Sequence, residues 1–94
     1  MDQNNLNFLL EYNLQPEDID QICTEYPGII IADTQRIIKN INLLIQFGYP
    51  KLDLDSIIMI NPKFLLSDHE DLIKKLIAIG ENVEEKLKEN PFLI

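Results

Sequence analysis

Apolar residues recur along this chain at helical spacing, and three prolines set their register. Eight residues before Pro27, Pro62 and Pro91 stand Ile19, Leu54 and Val83; four before them stand Cys23, Ile58 and Leu87. An apolar pair four apart is one stripe of a short helix. Proline has no N–H to donate and biases its predecessor away from helical angles, so each helix, here named A, ends at the proline. Apolar residues follow each proline in Tyr26-Pro27-Gly28-Ile29-Ile30-Ile31, Asn61-Pro62-Lys63-Phe64-Leu65-Leu66-Ser67 and Asn90-Pro91-Phe92-Leu93-Ile94. These runs are too short to bury themselves as strands and read as connectors, each about one turn of 3₁₀ helix. Ile29-Ile30-Ile31 is the one place a strand would fit, and it takes the connector reading because Pro62-Lys63-Phe64-Leu65 fills the same slot.

A second register comes from Asn13, Gly48 and Gly80, which close longer apolar patterns where a left-handed cap favours glycine or asparagine. Seven, four and three residues before them lie Leu6, Leu9 and Leu10, then Ile41, Leu44 and Ile45, then Ile73, Leu76 and Ile77. All nine are apolar and predict a second helix type, B. Start signals agree: Pro16 suits a first turn, Asp33, Asp53 and Asn82 are N-caps, and Ser67-Asp68-His69-Glu70 has the form of a capping box. The predicted order is B over 3–12, A over 16–25, B over 33–47, A over 53–60, B over 68–79 and A over 82–89. Nothing alternates like a half-buried strand. The chain therefore predicts an all-α domain spanning 1–94, a superhelical array of either hand. It holds about three helix-pair repeats, approximately 1–32, 33–66 and 67–94.

Composition changes this picture little, and charge changes it more. Ninety-four residues with 46% apolar content can bury one core. One cysteine, Cys23, excludes an internal disulfide, and its place in the A-helix stripe makes it a small core residue. Asp2-Gln3-Asn4-Asn5 lacks the basic and apolar regions of a secretory signal, no transit-peptide pattern is seen, and no stretch approaches a membrane span. The expectation is a soluble intracellular protein with no membrane contact. Sixteen acids against eight bases give −8. Residues 1–33 hold seven acids and no base, residues 34–52 hold Arg36, Lys39 and Lys51, and the remainder holds nine acids and five lysines. Such a surface repels polyphosphate from most directions and attracts basic partners.

The repeat resembles that of the mTERF family, the mitochondrial transcription termination factor-like proteins. The matching pieces are Leu14-Gln15-Pro16-Glu17-Asp18-Ile19 to Tyr26-Pro27-Gly28-Ile29-Ile30, Phe47-Gly48-Tyr49 to Asn61-Pro62-Lys63-Phe64-Leu65, and Ile79-Gly80-Glu81-Asn82-Val83 to Asn90-Pro91-Phe92-Leu93. The resemblance implies a helical array curved into a superhelix, of a kind that binds DNA or RNA in organelles.

Three sets of residues are candidates for contact. Asp20, Asp55 and Glu84 stand seven before the prolines, so stacked repeats would align them as an acidic column for a basic partner; a carboxylate in a helix first turn is also favoured by the helix dipole. Arg36, Lys39 and Lys75 fall opposite the apolar stripe of the B helices, with Lys74 on its flank. They form a short phosphate-tracking strip or an ordinary solvated face. Phe92, Leu93 and Ile94 follow the last helix with no polar cap, which suggests self-association through that end. His69 lacks the second histidine a helical zinc motif needs and reads as a solvent-exposed first-turn residue. Asp53-Leu54-Asp55-Ser56-Ile57 fails as a calcium loop at Ile57. No catalytic constellation, cofactor motif or metal site appears, so an enzyme is not expected. The first expectation is a protein-binding module, working through the acidic surface or the C-terminal end, and the alternative is an mTERF-like nucleic-acid-binding module.

Overall fold

The computed structural model describes residues 3–94, and over them the chain is helical throughout with no strand. A 3₁₀ helix over Gln3–Tyr12 is followed by α1 (Pro16–Glu25), the single turn α2 (Gly28–Ile31) and α3 (Thr34–Gln46). A 3₁₀ turn at Lys51–Asp53 leads into α4 (Leu54–Ile60), and a 3₁₀ connector, Pro62–Leu66, leads to α5 (His69–Ile79). Helix α6 (Val83–Glu89) and a 3₁₀ turn at Pro91–Leu93 complete the chain. Extents of 39 × 23 × 19 Å describe an elongated stack of helix pairs.

The corners lie where the sequence places them. Asn13, Gly48 and Gly80 all have positive φ, at 70°, 104° and 80°. A β-carbon is disfavoured there, which is why two of the three are glycine. Asp33 caps α3 by accepting from the Gln35 N–H, and Pro16 opens α1 with the Asp18 carboxylate accepting from the Gln15 N–H. Three start signals behave differently. The N-cap of α5 is Asp68, whose carboxylate accepts from the Asp71 N–H, while the Ser67 hydroxyl donates back to the Lys63 carbonyl. Asp53 and Asn82 precede their helices without a capping hydrogen bond, Asn82 with left-handed backbone angles.

One continuous core runs the length of the stack. Ile19, Cys23, Leu54, Ile58, Val83 and Leu87 from the A-type helices are all buried, as are Ile41, Leu44 and Leu76. Of the rest of the predicted B stripe, Ile45 and Ile73 are half-buried against the core and two residues are exposed. Leu10 is 42% exposed, because its helix is 3₁₀ rather than α. At three residues per turn Leu6, Leu9 and Tyr12 share a face, and all three are buried, whereas Leu10 turns away from it. Ile77 is 62% exposed for another reason. The capping residues Asp33 and Asp68 are 35 positions apart, but Gly48 and Gly80 only 32, since α5 is shorter than α3. Counted from the N-caps, Leu72 and Leu76 match Ile37 and Ile41, and Ile77 matches the exposed Asn42. Register runs from the helix starts, not from the glycines.

The connectors are helical turns, as expected, with the first a turn of α rather than 3₁₀ helix. Pro62, Phe64 and Leu65 are buried against α3 and α4, and Ile29 is buried in the corresponding slot. Leu44→Ala should cost about 2–5 kcal/mol in urea unfolding, since Leu44 is fully buried, and Leu10→Ala within about 0.5 kcal/mol. A loss at Leu10 as large as that at Leu44 would mean that the first helix packs as an α-helix.

Candidate nucleic-acid interface

The site is set by one buried amide. Asn40 lies on the flank of α3 that the following repeat covers, and its side chain has no solvent exposure. Its Nδ2 donates to the carbonyls of Phe64 and Leu65, each at 3.1 Å, and of Ser67 at 2.9 Å. Two hydrogens serve three acceptors, so one of them is shared. Three converging carbonyl oxygens fix which end of the amide is nitrogen, and Oδ1 is left facing His69 Nδ1 at 3.1 Å. An amide oxygen only accepts, so Nδ1 of His69 carries the hydrogen and donates it. Asn40 thus ties α3 to the whole Pro62–Leu66 connector and to the first residue of α5.

With the two helix starts held side by side, a cleft of about 220 Å³ opens between them. Asp33, Gln35, Arg36 and Lys39 line it from the α3 side, and Asp68 and His69 from the α5 side. Arg36 reaches the Leu66 carbonyl with Nη1 at 3.5 Å, which turns its guanidinium toward the connector. Lys39 is exposed and makes no ion pair among the described residues. Counted from the N-caps, Lys74 stands one repeat on from Lys39, and it too is exposed. Arg36 and Lys39 therefore meet in the cleft, and Lys74 continues their line on the next B helix. Lys75 is diverted: it holds the position equivalent to Asn40, and its Nζ donates to the Ile94 carbonyl at 3.3 Å. Expected to be solvent-exposed, His69 is instead half-buried and hydrogen-bonded. Asn40 was not singled out from sequence, although a polar residue amid Ile37, Ile41 and Leu44 was a signal available to be read.

The acidic column is not a uniform ridge. Asp20 is exposed, while Asp55 and Glu84 are half-buried. Glu84 accepts from Lys88 Nζ at 2.8 Å, and the same ammonium reaches Asp53 on the neighbouring pair at 2.8 Å. The hydrogen bonds to Asp53 and then to Glu84 push the Lys88 ammonium well above the usual lysine range. Asp55 instead lines a groove of about 310 Å³ between α4 and α6, floored by Ile57 and Leu87 and flanked by Lys88. Burial, and then the charge of Asp20, pushes the Cys23 thiol up, which suits a core residue. The tail also differs from expectation. Phe92 and Leu93 are 66% and 42% exposed, but Ile94 is buried at 7%. It folds back because Pro91–Leu93 repeats the turn of the earlier connector, with the Asn61 amide donating to the Pro91 carbonyl at 2.9 Å. Only Phe92 and Leu93 of the predicted self-association set are therefore free to meet another chain.

Paired helices with proline-marked turns, bound to one another by side-chain amides, define a helical-repeat module. The chain belongs to the mTERF family, whose family model matches residues 2–89. No curated protein and no solved structure matches it. Among the described residues, no helix is long and apolar enough to cross a membrane.

Asn40→Ala should destabilise the fold by about 1–3 kcal/mol for each buried group left unpaired. Asn40→Asp should cost more at neutral pH, because a carboxylate would face three carbonyl oxygens. Burial beside those oxygens raises the introduced carboxyl's folded-state pKa, so stability should be highest in acid and fall as pH rises. Urea unfolding near pH 4.5 and pH 7.5 checks both, and equal losses for the two variants would remove the amide from its assigned place.

Proposed function

We propose that this chain is a non-enzymatic nucleic-acid-binding module that follows a phosphate backbone across the starts of α3 and α5. The observation that carries the reading is the cleft in which Arg36 and Lys39 converge beside two helix N-termini, within a chain of the mTERF family. Lys74, one repeat along from Lys39, extends the contact in the direction a strand would run. Aspartates in the cleft are each engaged with a backbone N–H, Asp33 with Gln35 and Asp68 with Asp71, which draws their oxygens toward the helix ends. Against a net charge of −8 the attraction is local, so binding belongs to low ionic strength.

A second reading, contact with a basic protein segment, is favoured by the α4–α6 groove. Asp55 borders its apolar floor and makes no ion pair among the described residues. Exposed Phe92 and Leu93 support a self-association variant of that reading. Titration with labelled single- and double-stranded DNA and RNA at low salt distinguishes these readings. We expect salt-sensitive binding that is lost on combined Arg36→Glu and Lys39→Glu substitution. Lys39→Gln should flatten the dependence of log K on log salt by about 0.9 for duplex DNA. No binding at tens of micromolar protein would leave the protein-partner reading.

A further inference from the structure

We infer that His69 is a third phosphate contact in the α3–α5 cleft, making the affinity of the module for nucleic acid rise as pH falls. The inference rests on the nucleic-acid reading above and adds to it a residue whose charge can be switched. Its ring lines the same cleft as Arg36 and Lys39, and its Nδ1 is committed to Asn40 Oδ1. That bond fixes the ring's orientation and leaves Nε2 with no hydrogen bond among the described residues. An imidazole donating from Nδ1 has a bare lone pair at Nε2, which repels a phosphate oxygen. Protonated, the same ring keeps its bond to Asn40 and presents a second N–H bearing positive charge. The amide bond therefore acts as a hinge pin, holding the ring in one place in both protonation states.

The charged groups that face the ring in the cleft are Arg36, Lys39, Asp33 and Asp68, the two aspartates engaged in their capping bonds. Glu70 and Asp71 stand on the first turn of α5 beside it. His69 is the only histidine in the chain.

His69→Asn is the informative substitution, because an asparagine Nδ2 can take the place of the ring Nδ1 and keep the bond to Asn40 while removing Nε2. The full-length chain and this variant are titrated with a fluorescent random-sequence duplex of about 20 base pairs, at constant low salt, near pH 6 and near pH 8. A part-exposed charge contact is worth about two- to fivefold in affinity, which is the expected gain for the unaltered chain at the lower pH. Its salt slope should steepen by about 0.9, one further counterion released. The variant should bind like the unaltered chain near pH 8 and show neither change near pH 6, with its thermal unfolding retained. Binding that depends on Lys39 but not on pH would overturn the role of His69 alone. A pH effect that survives in the variant would overturn it as well. Absence of binding at both pH values would remove the nucleic-acid reading and this inference with it.

Discussion

The three-way hydrogen bond of Asn40 is the constraint on which the second and third helix pairs depend. The Pro62–Leu66 turn and the residue after it bring three carbonyls against α3, of which that of Phe64 also accepts from the Ser67 N–H while those of Leu65 and Ser67 depend on Asn40. Leaving those two dry and unpaired would cost about 1–3 kcal/mol each. One side-chain amide meets all three and gives its remaining oxygen to the next helix. Specificity of geometry follows from this arrangement more than raw stability does. Hydrophobic packing alone would let the pairs slide along their apolar stripes, whereas the amide admits one relative position.

The same solution recurs with different chemistry. Lys75, at the matching place on α5, reaches the Ile94 carbonyl, and Asn61 reaches the Pro91 carbonyl from the end of α4. The two later proline turns, after Pro62 and Pro91, are therefore each met by a side-chain nitrogen donor from an earlier element. Charge is distributed by a similar economy: Lys88 joins two helix pairs by serving Asp53 and Glu84 together. Acids that look like a docking ridge in sequence are partly absorbed into holding the pairs to one another, while the bases near the start of α3 remain accessible.

Much of the fold was legible because prolines, glycines and caps act locally. Asn13, Gly48 and Gly80 needed only the sterics of a β-carbon at positive φ, and the stripes needed only helical spacing. Leu10 and Ile77 were misplaced because both depend on quantities that spacing does not carry. One is the number of residues per turn in the first helix, and the other is the length of α5. The cleft was half legible. Arg36, Lys39 and Lys74 stood out by charge, but the meeting of Arg36 and Lys39 with His69 depends on a bond between residues 29 positions apart. Lys75 and Ile94 were read as free because a link between a side chain and a distant carbonyl leaves no periodic trace.

The contrast between Asn40 and Lys75 has a mechanical consequence. A short amide with two torsions holds three carbonyls from within the core, whereas a long ammonium chain holds one at 3.3 Å from an exposed position. Rigidity is thus unequal along the stack. The joint between the second and third pairs is held by a short amide at three points, while the last turn is held by the Asn61 amide at Pro91 and by the long Lys75 chain only at its final residue, so the looser tether acts on Ile94 alone.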